Sequence, residues 1–511
     1  MSDVLFGQSY YLRFDPKLFK AMQPYPPLGT LYAASYIRSR NYEVALFDAM
    51  LADSEIEWAA ALDREQPRFA VIYEDNFNYL SKMCLLRMRQ AAFRMIDLAR
   101  QRGCLTIVAG SDATDRAGLY LARGADFVLN GEGEATLGEL LDHLSGRTQA
   151  KPQTIAGLSF RSANGNDIVV TPRRPDITDL DALPLPAWDL VDVGHYRDVW
   201  MARHGYYSMN IATSRGCPYH CNWCAKPIWG QRYNVRSPEH VVSELRWLKE
   251  SYRPDHIWFV DDILGLKPGW IQRFADGVER EAIQTPFKSL CRVDLLLRGD
   301  TIDALRRAGA QVVWVGAESG SQAILDAMDK GTRVEQAEEA SRRLHTAGIQ
   351  VGFFLQFGYP GETRQDVAAT LQLIRNCQPD DIGMSVSYPL PGTKFHKAVS
   401  EQLGLQQNWL DSRDLAMMYQ GPFSTAFYRK LHVVLHHEFR LRKAWSALRS
   451  RGRRLRSLGA VVYHGAALPL ARLQLEILAR VHRPGLPLLP RFMTPEAAAR
   501  PTPQPDAPIR S

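Results

Sequence analysis

The sequence predicts an α/β protein in which a doubly wound N-terminal domain is followed by a partial (β/α)6 barrel and a helical C-terminal extension. Short apolar runs alternate with amphipathic stretches through most of the chain, which is typical of parallel βαβ units. This alternation occurs in two sets, and a proline-rich stretch at 183–190, LPLPAWDL, separates them.

The first set of alternating segments occupies residues 1–150. Its predicted strands are 3–7, 42–48, 68–74, 105–110 and 125–131, and helices are predicted at 28–40 and 79–101. A doubly wound domain binds its ligand beyond the carboxyl ends of its strands. The glycine-bearing loops at Gly110 and Gly131 lie at two such ends, so they are candidate ligand loops.

Residues 151–204 are predicted to form a hairpin, with its turn at Asn164-Gly165, and a linker. The second set of alternating segments, at 205–400, follows. Its predicted strands are 208–214, 256–260, 288–292, 312–316, 351–357 and 382–388. Six βα units are too few for a closed barrel of eight, so we expect a partial, open barrel.

The C-terminal region is predicted to be helical and basic at 401–493, with a disordered, proline-rich tail at 494–511. Between residues 429 and 483 there are 13 Lys and Arg against two acids, whereas the rest of the chain carries a small net negative charge. The protein as a whole is therefore not an obvious nucleic-acid binder. The basic region fits an anionic lipid surface, a nucleic acid or a lid over an anionic substrate, but we favour a solvated helical cap.

Composition excludes several classes of protein. Hydrophobic residues make up 46% of the chain and charged residues 23%, which argues against a disordered or fibrous protein. No apolar run reaches the length of a membrane span, and the N-terminus lacks the pattern of a signal peptide. Seven cysteines are too few for a disulfide scaffold, so we expect a cytoplasmic protein.

Three of the cysteines, Cys217, Cys221 and Cys224, fall within eight residues. Thiolates in so tight a loop can converge on a soft metal centre. A structural zinc site needs four ligands, and only His220 is close enough to add one, at an awkward spacing. Three thiolates on a four-iron cluster would instead leave one iron open to bind a substrate or cofactor.

The Cys-x3-Cys-x2-Cys spacing, with Trp223 before the last cysteine, resembles the signature of radical S-adenosylmethionine (SAM) enzymes. In that family the three cysteines hold a [4Fe–4S] cluster, and SAM chelates the fourth iron. One-electron reduction then cleaves SAM to methionine and a 5′-deoxyadenosyl radical. The family's fold is a partial (β/α)6 barrel, as the alternation predicts.

Later motifs of the same family follow in order at the ends of predicted strands. They include Asp261-Asp262, the segment VGAESGS, the segment GFFLQFGYPGET at 352–363 and SYPLPGTKFH at 387–396. The resemblance implies SAM contacts from Trp223, Arg292, Glu318, Ser319 and Gly352. Each motif alone could be a helix cap, a surface acid or a turn. Together and in order they form a strong pattern.

The N-terminal domain resembles the cobalamin-binding domain of class B radical SAM enzymes. The resemblance rests on Tyr25-Pro26-Pro27-Leu28-Gly29, on YEVALFDAM and on ADFVLNGEGEATLGELL. It implies cobalamin contacts from Gly29, Gly110, Ser111, Asp112, Gly131, Glu132 and Gly133. The sequence contains no Asp-x-His-x-x-Gly, so no histidine is marked as a lower cobalt ligand, and a degenerate structural domain remains the alternative.

These resemblances imply a cobalamin-dependent radical SAM enzyme, in the first place a methyltransferase at an unactivated carbon of a small metabolite, lipid or natural product. They also imply an electron donor of the flavodoxin or ferredoxin type. The alternatives are a cyclase or other radical rearrangement enzyme of the same class and, outside enzymes, an iron–sulfur or corrinoid redox sensor. A tRNA methylthiolase fits less well, because a second cysteine triad and a C-terminal β-rich RNA module are not evident. No catalytic side chain is identified from the sequence.

Overall fold

A seven-stranded sheet forms the N-terminal part of the protein in a computed structural model that describes residues 2–83, 85–165, 167–224, 228–404, 407–449 and 454–480. Its strands are β1 (Val4–Gly7), β2 (Val44–Phe47), β3 (Phe69–Tyr73), β4 (Leu105–Ala109), β5 (Phe127–Leu129), β6 (Leu158–Arg161) and β7 (Ile168–Val170). Their order is β2-β1-β3-β4-β5-β6-β7, and the first five strands are parallel. The chain therefore reverses its direction of winding between β1 and β3, which is where such folds bind ligands.

Helices cover both faces of this sheet, and the residues of its central strands β1 and β3 are buried. The helices are α1 (Pro16–Ala21), α2 (Leu28–Arg38), α3 (Glu55–Glu65), α4 (Tyr79–Met83), α5 (Leu86–Arg100), α6 (Ser111–Asp115), α7 (Ala117–Arg123) and α8 (Glu134–Leu144). Two separate apolar clusters, one on each side of the sheet, give the doubly wound arrangement that the continuous apolar strands predict.

The hairpin β6–β7 continues the N-terminal sheet, because β6 pairs antiparallel with β5. Its turn includes Asn164 and Gly165, as predicted. One 3₁₀ turn, Pro152–Thr154, lies before β6, and another, Trp188–Leu190, follows β7. The predicted domain boundaries remain predictions.

A second, six-stranded sheet of parallel strands forms the partial barrel. Its strands are β8 (Ser208–Ile211), β11 (His256–Phe259), β12 (Phe287–Cys291), β13 (Ala310–Glu318), β14 (Gln350–Phe357) and β15 (Asp381–Val386), and the small antiparallel pair β9 (Ser214–Arg215) and β10 (Asn234–Val235) lies beside it. The order β15-β14-β13-β12-β11-β8 leaves β8 and β15 as edges. The predicted open barrel is confirmed.

The helices of the barrel region pack outside the strands. They are α9 (Val193–His204), α10 (Pro238–Tyr252), α11 (Trp270–Arg280), α12 (Val293–Leu296), α13 (Thr301–Ala308), α14 (Gln322–Ala327), α15 (Val334–Thr346), α16 (Arg364–Cys377) and α17 (Lys394–Val399). Helix α10 begins as its sequence predicts, since the Ser237 side chain accepts a hydrogen bond from the His240 amide and Pro238 occupies the first turn.

Two long helices complete the described chain after a 3₁₀ turn at Ser400–Gln402: α18 (Thr425–Arg449) and α19 (Arg454–Arg480). Leu431 and Leu435 of α18 are buried in the main core, and Glu438 pairs with Arg375 of α16 at 2.6 Å. The helical character predicted for this region is confirmed, and α18 packs on the barrel rather than standing free. The tail predicted at 494–511 lies outside the described residues.

The structure differs from the sequence prediction at 79–101, where one helix was expected. Helices α4 and α5 are separate, and Leu85 between them is extended. The Ser111 hydroxyl donates to the carbonyl oxygens of Ser81 and Lys82, and the Leu86 amide donates to the carbonyl of Trp409. Contacts with distant parts of the chain therefore satisfy the backbone groups that a continuous helix would have paired.

No described helix is both long enough and apolar enough to cross a membrane.

Gly352 of β14 tests how tightly the barrel interior is packed. A Cβ at this position would lie 2.3 Å from the Trp314 ring, which stacks on Phe354 at 4.7 Å between ring centroids. We expect Gly352→Ala to displace the ring and lower the free energy of unfolding by about 1–3 kcal/mol. Thermal unfolding measures this effect. Gly459→Ala is the control, because nothing lies within 4 Å of its added Cβ, and an equal loss in both variants would contradict the prediction.

Candidate functional site

The cysteine loop follows β9 at the carboxyl end of the first barrel strand. Gly216 adopts a φ of +79°, and a Cβ there would lie 2.4 Å from the carbonyl oxygen of Arg232, so only glycine fits this turn. Cys217 is buried beside Ile263 and Leu295, whereas Cys221 and Cys224 are half-buried. None of the three thiols is in a disulfide.

Asn222 anchors this loop to the rest of the barrel. Its Nδ2 donates to the carbonyl of Ala327 at 2.6 Å, and its Oδ1 accepts from the Tyr359 hydroxyl at 3.0 Å. Its backbone amide donates to Met328, and its carbonyl accepts from the Phe395 amide. A single residue between two cysteines thus ties the loop to three later segments, through both its side chain and its backbone. Neither Asn222 nor Tyr359 was identified from the sequence, since both are ordinary residues within recognised motifs.

Buried polar residues support the strand that leads into the loop. The Asp261 carboxylate accepts from the Thr213 amide at 3.0 Å, from the Thr213 hydroxyl at 2.8 Å and from the Ser214 hydroxyl at 2.5 Å. Burial raises the pKa of Asp261 to about 6, although these donors lower it. Asp261 therefore stabilises the backbone that leads from β8 into the cysteine loop.

An ion pair lies near the cysteine loop, at the end of β13 and in the segment that follows α14. Glu318 and Lys330 form an ion pair at 2.7 Å, and the backbone of Glu318 has a φ of +57°, which strains a residue other than glycine. Burial lowers the pKa of Lys330, but Glu318 and the Cys221 thiol outweigh it and raise the pKa overall. The Arg292 guanidinium donates to the Lys330 carbonyl at 2.6 Å and lies 3.8 Å from the centre of the Tyr219 ring.

Three predicted SAM contacts, Arg292, Glu318 and Gly352, thus lie at one end of the barrel or in its interior. The side chains of the other two predicted SAM contacts, Trp223 and Ser319, pack against other parts of the protein. The Trp223 ring packs against an apolar cluster that includes Tyr359, and the Ser319 hydroxyl lies 3.2 Å from that of Thr370 on α16. The predicted roles of all five residues remain predictions. Lys330, which the sequence analysis did not single out, joins this group through its ion pair.

The N-terminal domain contributes Tyr79 to the same cleft. Crowding by protein atoms raises the pKa of the Tyr79 hydroxyl, and Cys224 and Glu318 raise it further. About 54% of the residue's surface is nevertheless exposed, and its hydroxyl is close enough to Cys224 and Glu318 for their charges to act on it. The exposed region around these three residues is the candidate site.

Arg215 joins the two domains directly before the cysteine loop. Its guanidinium donates to Glu132 at 2.9 Å and to Glu134 at 2.8 Å, and all three side chains are about 96% buried or more. The rings of Tyr32 and Trp229 lie 5.6 and 6.0 Å from the guanidinium. Burial raises the pKa of Glu132 despite the lowering effect of Arg215. Lys82 and Asp262 make a second link between the domains at 2.8 Å.

The residues predicted to contact cobalamin are mostly engaged within the protein. Asp112 pairs with Arg89 at 2.6 Å, and Glu132 pairs with Arg215. The three glycines Gly29, Gly110 and Gly133 have protein atoms within 3.1 Å of where a Cβ would be, and Ser111 donates to two carbonyls. Gly131 is the most open of the set, with its nearest neighbour, the carbonyl oxygen of Ile228, at 3.8 Å. Their roles remain predictions.

Two buried acids, which the sequence did not mark, lie at the switch point of the N-terminal sheet. Glu74 accepts from the Ser9 amide and, at 2.5 Å, from the Ser9 hydroxyl, and Asp75 accepts from the Gly29 amide at 2.9 Å. Burial raises the pKa of Glu74 to about 7 and that of Asp75 to about 6. The fold and its switch point suit a cobalamin-binding domain, whereas no predicted contact shows a free group aimed at a ligand.

The donor set at the cysteine loop suits an iron–sulfur cluster. Three thiols on one loop are soft ligands, and each would bind a different iron of a cluster. Within the described ranges, no group of three or more His, Cys, Asp or Glu side chains is arranged to hold a single metal ion. The zinc site that the sequence left open therefore has no complete ligand set among these residues.

Residues 211–374 match the model of the Radical SAM superfamily. The chain is 27% identical over 391 residues to an uncharacterised methyltransferase of Pyrococcus horikoshii, covering 75% of this chain and 81% of the relative. It is 26% identical over 433 residues to the hopanoid C-3 methylase of Methylococcus capsulatus, covering 83% and 78%. It is 24% identical over 391 residues to an anaerobic magnesium-protoporphyrin IX monomethyl ester cyclase of Rubrivivax gelatinosus, covering 74% and 67%.

Solved structures share the fold. The cobalamin-dependent SAM radical enzyme OxsB, with aqua-cobalamin and SAM bound, superposes with a TM-score of 0.69 at 16% identity, covering 93% of this chain and 72% of that one. The radical SAM methyltransferase TsrM from Kitasatospora setae, with cobalamin and a [4Fe–4S] cluster bound, gives a TM-score of 0.63 at 19% identity, covering 79% and 75%. The predicted fold, a doubly wound sheet followed by a partial barrel, is therefore confirmed.

Asn222 gives a direct test of how the loop is held. We expect Asn222→Ala to lower the free energy of unfolding by about 1–3 kcal/mol, because it removes two hydrogen bonds and leaves the Ala327 carbonyl with one donor fewer. We also expect less iron per chain after anaerobic reconstitution. Tyr359→Phe, which removes one donor, should have the smaller effect.

The matched control for Asn222 is Asn376→Ala, since the Asn376 amide donates to Glu338 at an exposed position on α16. Its stability and iron content should equal those of the unmodified chain. Unchanged iron and stability in Asn222→Ala would show that this side chain does not anchor the loop.

Proposed function

We infer that this chain, a radical SAM protein over residues 211–374, is a cobalamin-dependent methyltransferase that acts at an unactivated carbon of a small metabolite, lipid or natural product. The observation that carries this proposal is the three-cysteine loop, which is placed at the carboxyl end of the first barrel strand and joined through Arg215 to a doubly wound domain. The similarity to two relatives that are named as a methyltransferase and a methylase supports methylation as the reaction.

Cys217, Cys221 and Cys224 would hold the cluster, and the charged cleft beside them would hold SAM. When bound, these groups supply a 5′-deoxyadenosyl radical, and a corrinoid between the domains supplies the methyl group. Glu318 and Lys330 provide a paired acceptor and donor for the polar groups of SAM, while Gly352 and Trp314 offer an apolar wall for its adenine. A reactive radical needs protection from bulk water, and the buried ion pairs of Arg215 with Glu132 and Glu134 exclude water from the domain junction directly before the cysteine loop.

A second function within the same class is a radical cyclase, since one relative of similar coverage is named for a cyclase reaction. Incubation of the reconstituted protein with SAM carrying a labelled methyl group separates the two. A methyltransferase transfers the label to its product, whereas a cyclase does not. A redox sensor would release no 5′-deoxyadenosine at all.

We further propose that the protein works in the cytoplasm, where its thiols stay reduced, and receives electrons from a flavodoxin- or ferredoxin-like donor.

We also propose that helix α19 contacts anionic lipid. Six large apolar side chains of this helix are exposed, namely Leu458, Val462, Tyr463, Leu470, Leu473 and Ile477. The surrounding region, 429–483, has the strongly basic balance described above, which complements an anionic surface.

The cluster assignment predicts a clear difference between two cysteine variants. Cys217→Ala should lose the cluster and release no 5′-deoxyadenosine from SAM, because two thiolates do not hold a four-iron cluster in place. Iron quantitation and product analysis after anaerobic reconstitution measure both effects. Cys377→Ala is the control, since this buried cysteine lies on α16, away from the loop. An iron-loaded, active Cys217→Ala would refute the assignment.

Lipid contact is tested by flotation with vesicles. The unmodified chain should float with vesicles that contain about one-third phosphatidylserine, and it should float less at high salt because basic residues contribute. Replacing Leu470, Leu473 and Ile477 with glutamine should abolish flotation. Ile56→Gln, at an exposed apolar position on the N-terminal domain, should have no effect. Equal flotation with uncharged phosphatidylcholine vesicles would contradict the proposal.

A further inference from the structure

A partly open cavity lies where the N-terminal domain meets the barrel. Its volume is about 180 Å³, and residues of both domains line it. Leu12, Asp75 and Phe77 come from the segments that follow β1 and β3, and Asn210, Trp258 and Lys288 come from barrel strands. A cavity of about 150 Å³ holds a benzene ring in other proteins, so this one fits a molecule of ring size and not a corrinoid.

The barrel side of the cavity is built by three neighbouring strands at one level. Asn210 on β8 pairs in register with Trp258 on β11, which in turn pairs with Lys288 on β12. Phe259, the next residue on β11, packs on Phe274 of α11, so Trp258 faces the opposite, interior side. The three side chains form a continuous wall.

Lys288 provides the positive charge in this wall. Its ammonium lies 4.5 Å from the centre of the Trp258 ring and 4.9 Å from that of Tyr25. Burial alone lowers its pKa to about 8, and within the described part of the chain no carboxylate pairs with it. A lysine held between two rings without a counter-ion lacks the partner that buried charges normally have.

The groups around Lys288 do not supply that partner. The nearby imidazole of His256 is held neutral, since burial and the charge of Lys288 lower its pKa to about 3, and it bonds to the Ser208 hydroxyl at 2.8 Å. Asp75, on the N-terminal side of the cavity, accepts from the amides of Gly29 and Phe77 through one of its two carboxylate oxygens, Oδ1, and does not pair with Lys288.

Hydrogen-bond acceptors lie on other parts of the wall. Asn210 is 2% exposed, its Nδ2 donates to the Pro26 carbonyl, and its Oδ1 has no partner among the described residues. Together with Asp75, it offers acceptor oxygens to a donor on a bound molecule. The remainder of the lining is largely apolar or aromatic.

The cavity is also connected through the chain to the residues that support the cysteine loop. Val260 lies in its wall and directly precedes Asp261, the carboxylate that supports Thr213 and Ser214 before the cysteine loop. A molecule in the cavity would therefore contact the segment that carries Asp261.

We propose that this cavity binds the substrate, and that the substrate is a ring-sized, mostly apolar molecule whose carboxylate pairs with Lys288. The proposal rests on the function inferred above, because it takes the occupant to be the molecule that reacts. It narrows that function to a carboxylic acid that also carries a hydrogen-bond donor, such as a hydroxyl group, for Asn210 or Asp75.

The test uses 4-hydroxyphenylacetate as the probe and its amide, 4-hydroxyphenylacetamide, as the neutral comparison. Both are titrated by ligand-observed NMR into the full chain, reconstituted with its cluster and supplied with cobalamin. The acid should bind about tenfold more tightly than the amide, as expected of a charge-assisted hydrogen bond. Lys288→Met should abolish this preference, and Lys288→Arg should retain it.

Two controls show whether a lost preference for the acid comes from the missing charge of Lys288. Retained binding of the amide by Lys288→Met shows that the cavity is intact, and Lys397→Met, at an exposed lysine on α17, should behave as the unmodified chain. Equal affinities for acid and amide, failure of both to bind at millimolar concentration, or a preference for the acid that survives in Lys288→Met would overturn the proposal. So would a preference seen only without cobalamin, which would assign the cavity to the corrinoid.

The probe measurement does not depend on SAM cleavage. If the acid preference depends on Lys288 but the protein releases no 5′-deoxyadenosine from SAM, the binding site stands and the proposed function fails. If SAM is cleaved and the acid shows no preference, the substrate class fails while the function stands.

Discussion

The arrangement of this protein depends on one buried cation, Arg215, held between two carboxylates of the other domain. Glu132 and Glu134 lie in the loop after β5 and at the start of α8, and Arg215 directly precedes the turn into the cysteine loop. Removing one member of a buried ionic group costs about 3–5 kcal/mol, because the remaining charges stay buried without a partner. The contact therefore fixes the N-terminal domain against the residues that would carry the chemistry.

The rest of the site follows from that fixed relation. Gly216 gives the turn, Asn222 ties the loop to later segments of the barrel region, and Asp261 supports the backbone before it. The exposed region around Tyr79 lies near the cysteine loop, and residues of both domains line the Lys288 cavity. The radical chemistry proposed for this chain would require cofactors and substrate to meet away from solvent.

Sequence reasoning predicted the two sheets and nearly all of their strand positions, because periodicity is a local property. The cluster-ligand role of the three cysteines, which rests on motif spacing, stays a prediction. Sequence reasoning missed interactions between distant segments. Nothing in the sequence indicates that Glu132 pairs with Arg215, that Asn222 meets Tyr359, or that Leu85 interrupts a predicted helix. Such contacts depend on how separate elements pack, and the predicted cobalamin contacts illustrate this, since Asp112 and Glu132 proved to be paired within the protein.

The most direct test of the central role of Arg215 is a double-mutant cycle with Glu132. The free energy of unfolding and the cobalamin retained per chain are measured for Arg215→Met, Glu132→Gln and the double variant, with the exposed pair Arg273 and Glu239 as the reference cycle. The account predicts a coupling energy of about 2 kcal/mol or more, against less than about 1 kcal/mol for the reference, and loss of cobalamin in each single variant. Additive effects with full cobalamin retention would contradict it.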